Sequence, residues 1–137
     1  ETNVEGIFAC GNVLHVHDLV DFVSQEAAQA GKNAANFILH GEKKAERIVK
    51  INPTGGVRYT VPAFIRPEEM DETVTVRFRV GAVYKNSAVA TYFDDECVAR
   101  RKKQVFAPGE MEQVILKKSD LLAQKDLKEI TIRIEEA

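Results

Sequence analysis

His15-Val16-His17-Asp18 places two imidazoles at alternating positions with a carboxylate next to the second. In an extended chain that spacing puts the two imidazoles on one side, and imidazole and carboxylate are donor types that zinc accepts. A metal site needs further ligands, and the remaining histidine, His40, lies one helix length away. No metal ligand is therefore assigned from the sequence. Cys10 and Cys97 are far apart and form neither C-x-x-C nor a zinc pattern. A nucleophilic thiol needs a lowered pKa and a nearby base, and neither cysteine has one in local sequence. Both are expected to be small core residues, and no catalytic residue is assigned. The run Ala99-Arg100-Arg101-Lys102-Lys103-Gln104 is basic. It reads as a charged strand edge that discourages sheet-to-sheet pairing. A patch for an acidic partner or nucleic acid is the lesser reading, because no aromatics interleave for base stacking. Asp94-Asp95-Glu96 and Pro67-Glu68-Glu69-Met70-Asp71-Glu72 lack the spacing of a calcium-binding EF-hand loop and read as solvated turns.

The elements that position these residues follow from periodicity. Ile7-Phe8-Ala9-Cys10 is a short apolar run between glycines, expected to be a buried strand. Gly11 then permits a sharp turn and close backbone approach. Asp18 is expected to N-cap a helix running to His40, with Asp21 in its first turn. Leu19, Val23, Ala27, Ala30, Ala34, Phe37 and Ile38 recur every three or four residues as one apolar stripe. Gly41 is expected to stop the helix, and Pro53-Thr54-Gly55-Gly56 to turn. Glu42 to Lys50 extends the helix or links it onward. From Val57 the period changes to two. Strands are expected at Val57–Val61, Thr73–Val80, Ala88–Phe93, Cys97–Gln104, Met111–Leu116 and Glu129–Ile134. A helical turn is expected at Ser119–Ala123. Val74, Val76, Phe78 and Val80 share one face of the second of these strands.

Gly6-Ile7-Phe8-Ala9-Cys10-Gly11-Asn12-Val13 resembles the last flavin-binding segment of FAD-dependent pyridine nucleotide-disulphide oxidoreductases, the thioredoxin reductase-like flavoproteins. The family runs Gly-(Ile/Val)-(Phe/Tyr)-Ala-(Ala/Cys)-Gly-Asp-(Val/Ala), then a helix rich in Ala and Gly. Ala27-Ala28-Gln29-Ala30-Gly31 and Ala34-Ala35-Asn36-Phe37-Ile38 match that helix in style. The resemblance covers residues 1 to about 40. It implies a flavin contact through Gly11, Asn12 and Val13, and through backbone N–H groups near Asp18 and Leu19 at the helix start. The family Asp is Asn12 here, whose amide oxygen accepts the same ribityl hydrogen bond without the charge.

The chain has 137 residues and a net charge of −2. That size bounds it to one domain or a small domain with an appendage, and the charge gives no basis for wholesale nucleic-acid binding. No apolar run approaches the ~18 residues of a membrane span, and no signal-peptide pattern is present. Two distant cysteines fit a cytoplasmic protein. None of the eight glycines forms G-x-G-x-x-G, the dinucleotide fingerprint. With Glu1 in place of Met, the chain is expected to be a C-terminal piece of a larger protein.

The resulting expectation is a mainly β chain with an N-terminal helix. Residues 1–47 form a strand-turn-helix remnant of a flavin-binding α/β domain, and residues 48–137 an accessory antiparallel β-sandwich, immunoglobulin- or fibronectin-like. Glycerol-3-phosphate dehydrogenase-like and sarcosine oxidase α-type flavoproteins carry extra C-terminal domains of this sort. The resemblance implies FAD held by the full-length parent, upstream FAD and NAD(P) domains as partners, and hydride transfer through the flavin. The competing expectation is a non-enzymatic β-sandwich interaction module, whose N-terminal strand and helix form a homodimer. No nucleic acid or membrane partner is expected.

Overall fold

A computed structural model describes residue 2, residues 4–41 and residues 47–137. The chain divides into two compact units, Glu1–Lys44 and Ala45–Ala137, where the sequence expectation placed the boundary after residue 47. Arg47 falls in the second unit.

In the first unit, Ile7 to Cys10 forms no strand. A strand exists through its ladder, and this segment has no neighbouring strand among the described residues. It lies instead along a helix. The Phe8 ring meets the Phe37 ring edge-on at 6.2 Å, and a Cβ on Gly6 would come within 3.0 Å of the Phe37 ring. A 3-10 turn, Gly11–Val13, follows, and then helix α1, Val20–His40. The expected cap moves by one residue: Leu19 occupies the N-cap position with extended backbone and no side-chain cap hydrogen bond, not Asp18. Asp21 does lie in the first turn, and Gly41 closes the helix at φ +70°, its N–H donating to the Phe37 carbonyl at 2.8 Å. No α1 residue is buried. Its half-buried line is Phe22, Val23, Glu26, Ala30, Ala34 and Phe37; Leu19, Ala27 and Ile38 of the expected stripe are exposed. The linker expectation falls largely on residues 42–46, outside the described residues.

The second unit holds eight strands and a short helix: β1 Val49–Thr54, β2 Val57–Val61, β3 Phe64–Ile65, β4 Thr73–Val80, β5 Tyr84–Phe93, β6 Glu96–Phe106, β7 Glu112–Lys117, α2 Lys118–Ala123 and β8 Glu129–Glu136. One sheet has the order β3-β1-β8-β5-β6 and the other β2-β4-β7. All six expected strands are present, and the helical turn at Ser119–Ala123 is α2. Two strands, β1 and β3, are additional. Lys50 lies in β1 rather than a linker. Only Gly55-Gly56 of the expected turn is a turn, since Pro53 and Thr54 pair with β8. The β1–β8 ladder is parallel and the others are antiparallel, so the larger sheet is mixed.

Both sheets feed one apolar core. Val76, Phe78 and Val80 of β4 meet Ile130, Ile132 and Ile134 of β8, with Val49, Ile51, Phe106 and Leu121. Each of β4 and β8 contributes alternate residues, as a pleated strand must. Gly56, at φ +97°, closes the turn into β2, where a Cβ would overlap the Tyr84 phenol. Arg47 fastens α2: its guanidinium donates to the carbonyls of Leu121, Gln124 and Lys125, satisfying carbonyls that a helix C-terminus leaves open.

Candidate functional site

The first unit gathers its chemistry at the junction of the Gly11 turn and α1. Gly11 is buried at φ +70°, a region that L side chains avoid. Its N–H donates to Glu26 Oε2 at 2.5 Å. From Leu14 the chain runs on to Leu19 with His15 and His17 buried and Val16 62% exposed between them. That alternation is the period of an extended backbone, so both imidazoles face the same way. The side chain of His17 is fully buried and that of His15 2% exposed. His17 Nε2 lies 3.0 Å from Glu26 Oε2, and His15 Nε2 lies 3.9 Å from Oε1. The two rings meet edge-on with centroids 4.3 Å apart. Asn12 Oδ1 accepts the His17 backbone N–H at 3.4 Å and steadies the loop.

His15, His17 and Glu26 each offer a ligand atom, and these atoms lie within 4.8 Å of one another. Two imidazoles sharing one carboxylate can hold a proton between them or ligate a cation. Asp18, the carboxylate next to the histidines in sequence, is exposed. Glu26, two turns into α1, takes its place in the cluster. The sequence held one signal for it. Glu26 is the charged residue at four-residue spacing between Phe22 and Ala30 on the packed side of α1. A carboxylate on an inward line must find partners.

Of the residues implied in flavin contact, Gly11 is buried in the turn, while Asn12, Val13, Asp18 and Leu19 are exposed beside it. No protein-family model, curated protein or solved structure matches the chain. The site is therefore read from its own geometry. Cys10 is half-buried in a segment that forms no strand, not the core strand residue that was expected. Cys97 is exposed, contrary to the expectation of a core residue: it opens an edge strand, β6, whose residues up to Gln104 face mostly outward.

In the second unit the basic run is largely neutralised from within. Arg101 and Lys103 of β6 both reach Glu112 of β7, at 3.1 Å and 2.5 Å, so these ion pairs join the edges of the two sheets. Lys103 also contacts Glu110 at 2.8 Å. The Glu110 hydrogen bond, followed by that of Glu112, raises the Lys103 pKa above its ordinary value. Arg100 lies 3.6 Å from Glu135. On the same sheet Arg133 stacks over the Tyr92 ring at 4.2 Å and pairs with Glu135 at 2.5 Å. The Tyr92 phenol donates to Glu135 at 2.7 Å. That hydrogen bond, with Arg133 second, holds the Glu135 carboxyl below the usual carboxylate range. Asp94, expected in a solvated turn, accepts the N–H groups of Lys128 and Glu129 and ties the β5–β6 hairpin to β8.

No helix among the described residues is long and apolar enough to cross a membrane.

Proposed function

We propose that the first unit completes the FAD-binding domain of a cytoplasmic NAD(P)-dependent flavoprotein oxidoreductase, and that the second is an accessory domain of that enzyme, an immunoglobulin- or fibronectin-like sandwich. The observation that carries this reading is the turn at Gly11. The flavin-type motif falls on a buried glycine at positive φ, followed by a short loop and a helix whose N-cap side chain makes no hydrogen bond. Free N–H groups and the helix dipole at such an end favour a negatively charged or electron-rich ligand edge. Asn12, Val13, Asp18 and Leu19 lie exposed around it, accessible to a cofactor supplied by the rest of a flavin domain. An α1 that buries none of its residues, with Val20, Ile38 and Leu39 each more than 70% exposed, is what a helix looks like when its packing partner lies elsewhere. The same apolar face also suits a second copy of the chain, which keeps the interaction-module reading in view.

In the parent enzyme the flavin would carry hydride between nicotinamide and an acceptor. This chain would supply backbone polarity at the helix start and the Asn12 amide. The test is to purify the protein encoded together with the sequence upstream of Glu1. The expected result is a yellow protein with flavin absorbance and a G-x-G-x-x-G upstream. In it, Asn12→Leu should cost about 1–3 kcal/mol of flavin affinity, the worth of one buried hydrogen-bond partner. A colourless protein without that fingerprint would overturn the reading. If the 137-residue chain were then dimeric by light scattering, the interaction module would replace it.

A further inference from the structure

The first unit spends two buried imidazoles and a half-buried carboxylate on a very small interior. A single clamp would need less. The Glu26 carboxylate fastens the turn through the Gly11 N–H and His17. His15 Nε2 faces Oε1 of the same carboxylate at 3.9 Å. His17 meets Glu26 through Nε2. Its Nδ1 is buried with no hydrogen-bond partner among the described residues, a state that costs roughly 1–3 kcal/mol when left unmatched.

The donor spacing is also within the range of a metal site. Ligand bonds of 2.0–2.2 Å to nitrogen and oxygen around a tetrahedral ion set donors about 3.4 Å apart. The two histidine–carboxylate separations, 3.0 Å to Oε2 and 3.9 Å to Oε1, fall on either side of that value, and one ligand atom from each of the three residues lies within 4.8 Å of the others. The carboxylate is also held by a neighbouring group, the Gly11 N–H, as metal-ligating carboxylates usually are. Imidazole suits zinc and its neighbours in the transition series rather than calcium or magnesium.

We propose that His15, His17 and Glu26 form a binding site for a zinc-class divalent cation, with the fourth position open to water. The ion ties the His15–His17 loop to α1 and so fixes the Gly11 turn. This site stands whether or not the flavin reading does, because it uses only residues of the first unit and needs no cofactor.

The test uses the full 137-residue chain, stripped of metal and titrated with Zn²⁺ in competition with a chromophoric chelator. One equivalent should bind at about micromolar affinity or tighter. His15→Gln and Glu26→Gln should each weaken it by at least about tenfold, judged against the effect of losing even a supporting residue, and His40→Gln should leave it unchanged. Co²⁺ provides a readout that does not depend on the variants: a bound ion should show the intense visible bands of tetrahedral coordination. Failure to bind Zn²⁺ below millimolar concentration would overturn the proposal. So would a spectrum of hexa-aquo Co²⁺, or an affinity unchanged in the His15→Gln/His17→Gln double variant.

Discussion

Ile132 on β8 and Ile38 on α1 are the same side chain in two situations: the first is fully buried and the second 81% exposed. The difference extends to the units that hold them. In the second unit, alternate residues of strands from two sheets converge, and Phe78, Phe106, Ile130 and Ile132 lose all contact with solvent. In the first unit one helix faces one extended segment, and two elements cannot enclose a core. A helix can bury a stripe only against a surface of comparable size. Among the described residues, its buried ones are Gly11, His15 and His17, in the polar turn. Burial in one unit thus serves stability, and in the other it serves the placement of polar groups.

That contrast can be broken most directly by truncating one apolar residue in each unit. Phe78→Ala should cost about 3–5 kcal/mol, the range for removing a buried ring. Ile38→Ala should stay within about 0.5 kcal/mol, as exposed substitutions do. Urea unfolding of the purified chain, followed by circular dichroism, measures both. A large loss for Ile38→Ala would show that the helix face is covered in solution.

The turns offer a second comparison. Gly56→Ala forces a side chain into φ +97° and onto the Tyr84 ring. The expected cost is about 1–3 kcal/mol, felt in the midpoint for the β unit. Gly11→Ala meets only Val23 Cγ1, at 3.4 Å. Its cost of about 1–2 kcal/mol should come from the left-handed backbone alone. Amide exchange at His15 and His17 should report it, with the β-unit midpoint unchanged. A shift in that midpoint would show that the two units do not unfold independently.

Glu112→Gln tests the bridge between the sheet edges. Arg101 is exposed and Lys103 half-buried, but the Glu112 carboxylate they share is buried, so the loss should be about 1–3 kcal/mol. It should shrink further at high salt. Nuclear magnetic resonance titration should show the Lys103 pKa falling back toward its ordinary value, since Glu112 contributes to its rise. An unchanged Lys103 titration would leave Glu110 as the sole source of the shift.

The smallest effect concerns pH. Glu135 titrates lower in the folded protein than in the unfolded chain, first because of the Tyr92 hydrogen bond and then because of Arg133. Its contribution to stability is complete above the ordinary carboxylate range and is lost as pH falls through the lowered folded value. Glu135→Gln should therefore flatten the acid limb of the stability profile and change little near neutrality. An acid limb identical to that of the unmutated protein would assign it to other carboxylates.

Much of the second unit was legible in the sequence because its signal is local. Val74, Val76, Phe78 and Val80 alternate with polar residues, and a strand with one buried face has to be written that way. β1 was hidden by Pro53, which reads as a turn signal. Proline lacks an N–H, yet Pro53 pairs in register with Ile132 near the end of the ladder. The parallel β1–β8 pairing joins residues some eighty positions apart, which no local pattern encodes. Ile7 to Cys10 shows the opposite case: the composition of a buried strand without a neighbour to make it one.

The sequence by itself determined the helix from the first acidic turn to Gly41, the glycine turn before it, and the alternation of the six expected strands. These depend on backbone geometry and on periods of two and 3.6, which neighbouring residues carry among themselves. It also determined that His15 and His17 share one side of an extended segment. Only the tertiary structure decided what they face. The sequence offered Asp18 as the carboxylate, because it is adjacent. The fold supplies Glu26, nine residues beyond His17, because the Gly11 turn lays the histidine loop back against the second turn of α1. Ligand sets and sheet order arise from where the chain returns to itself, and that return is fixed by packing rather than by spacing.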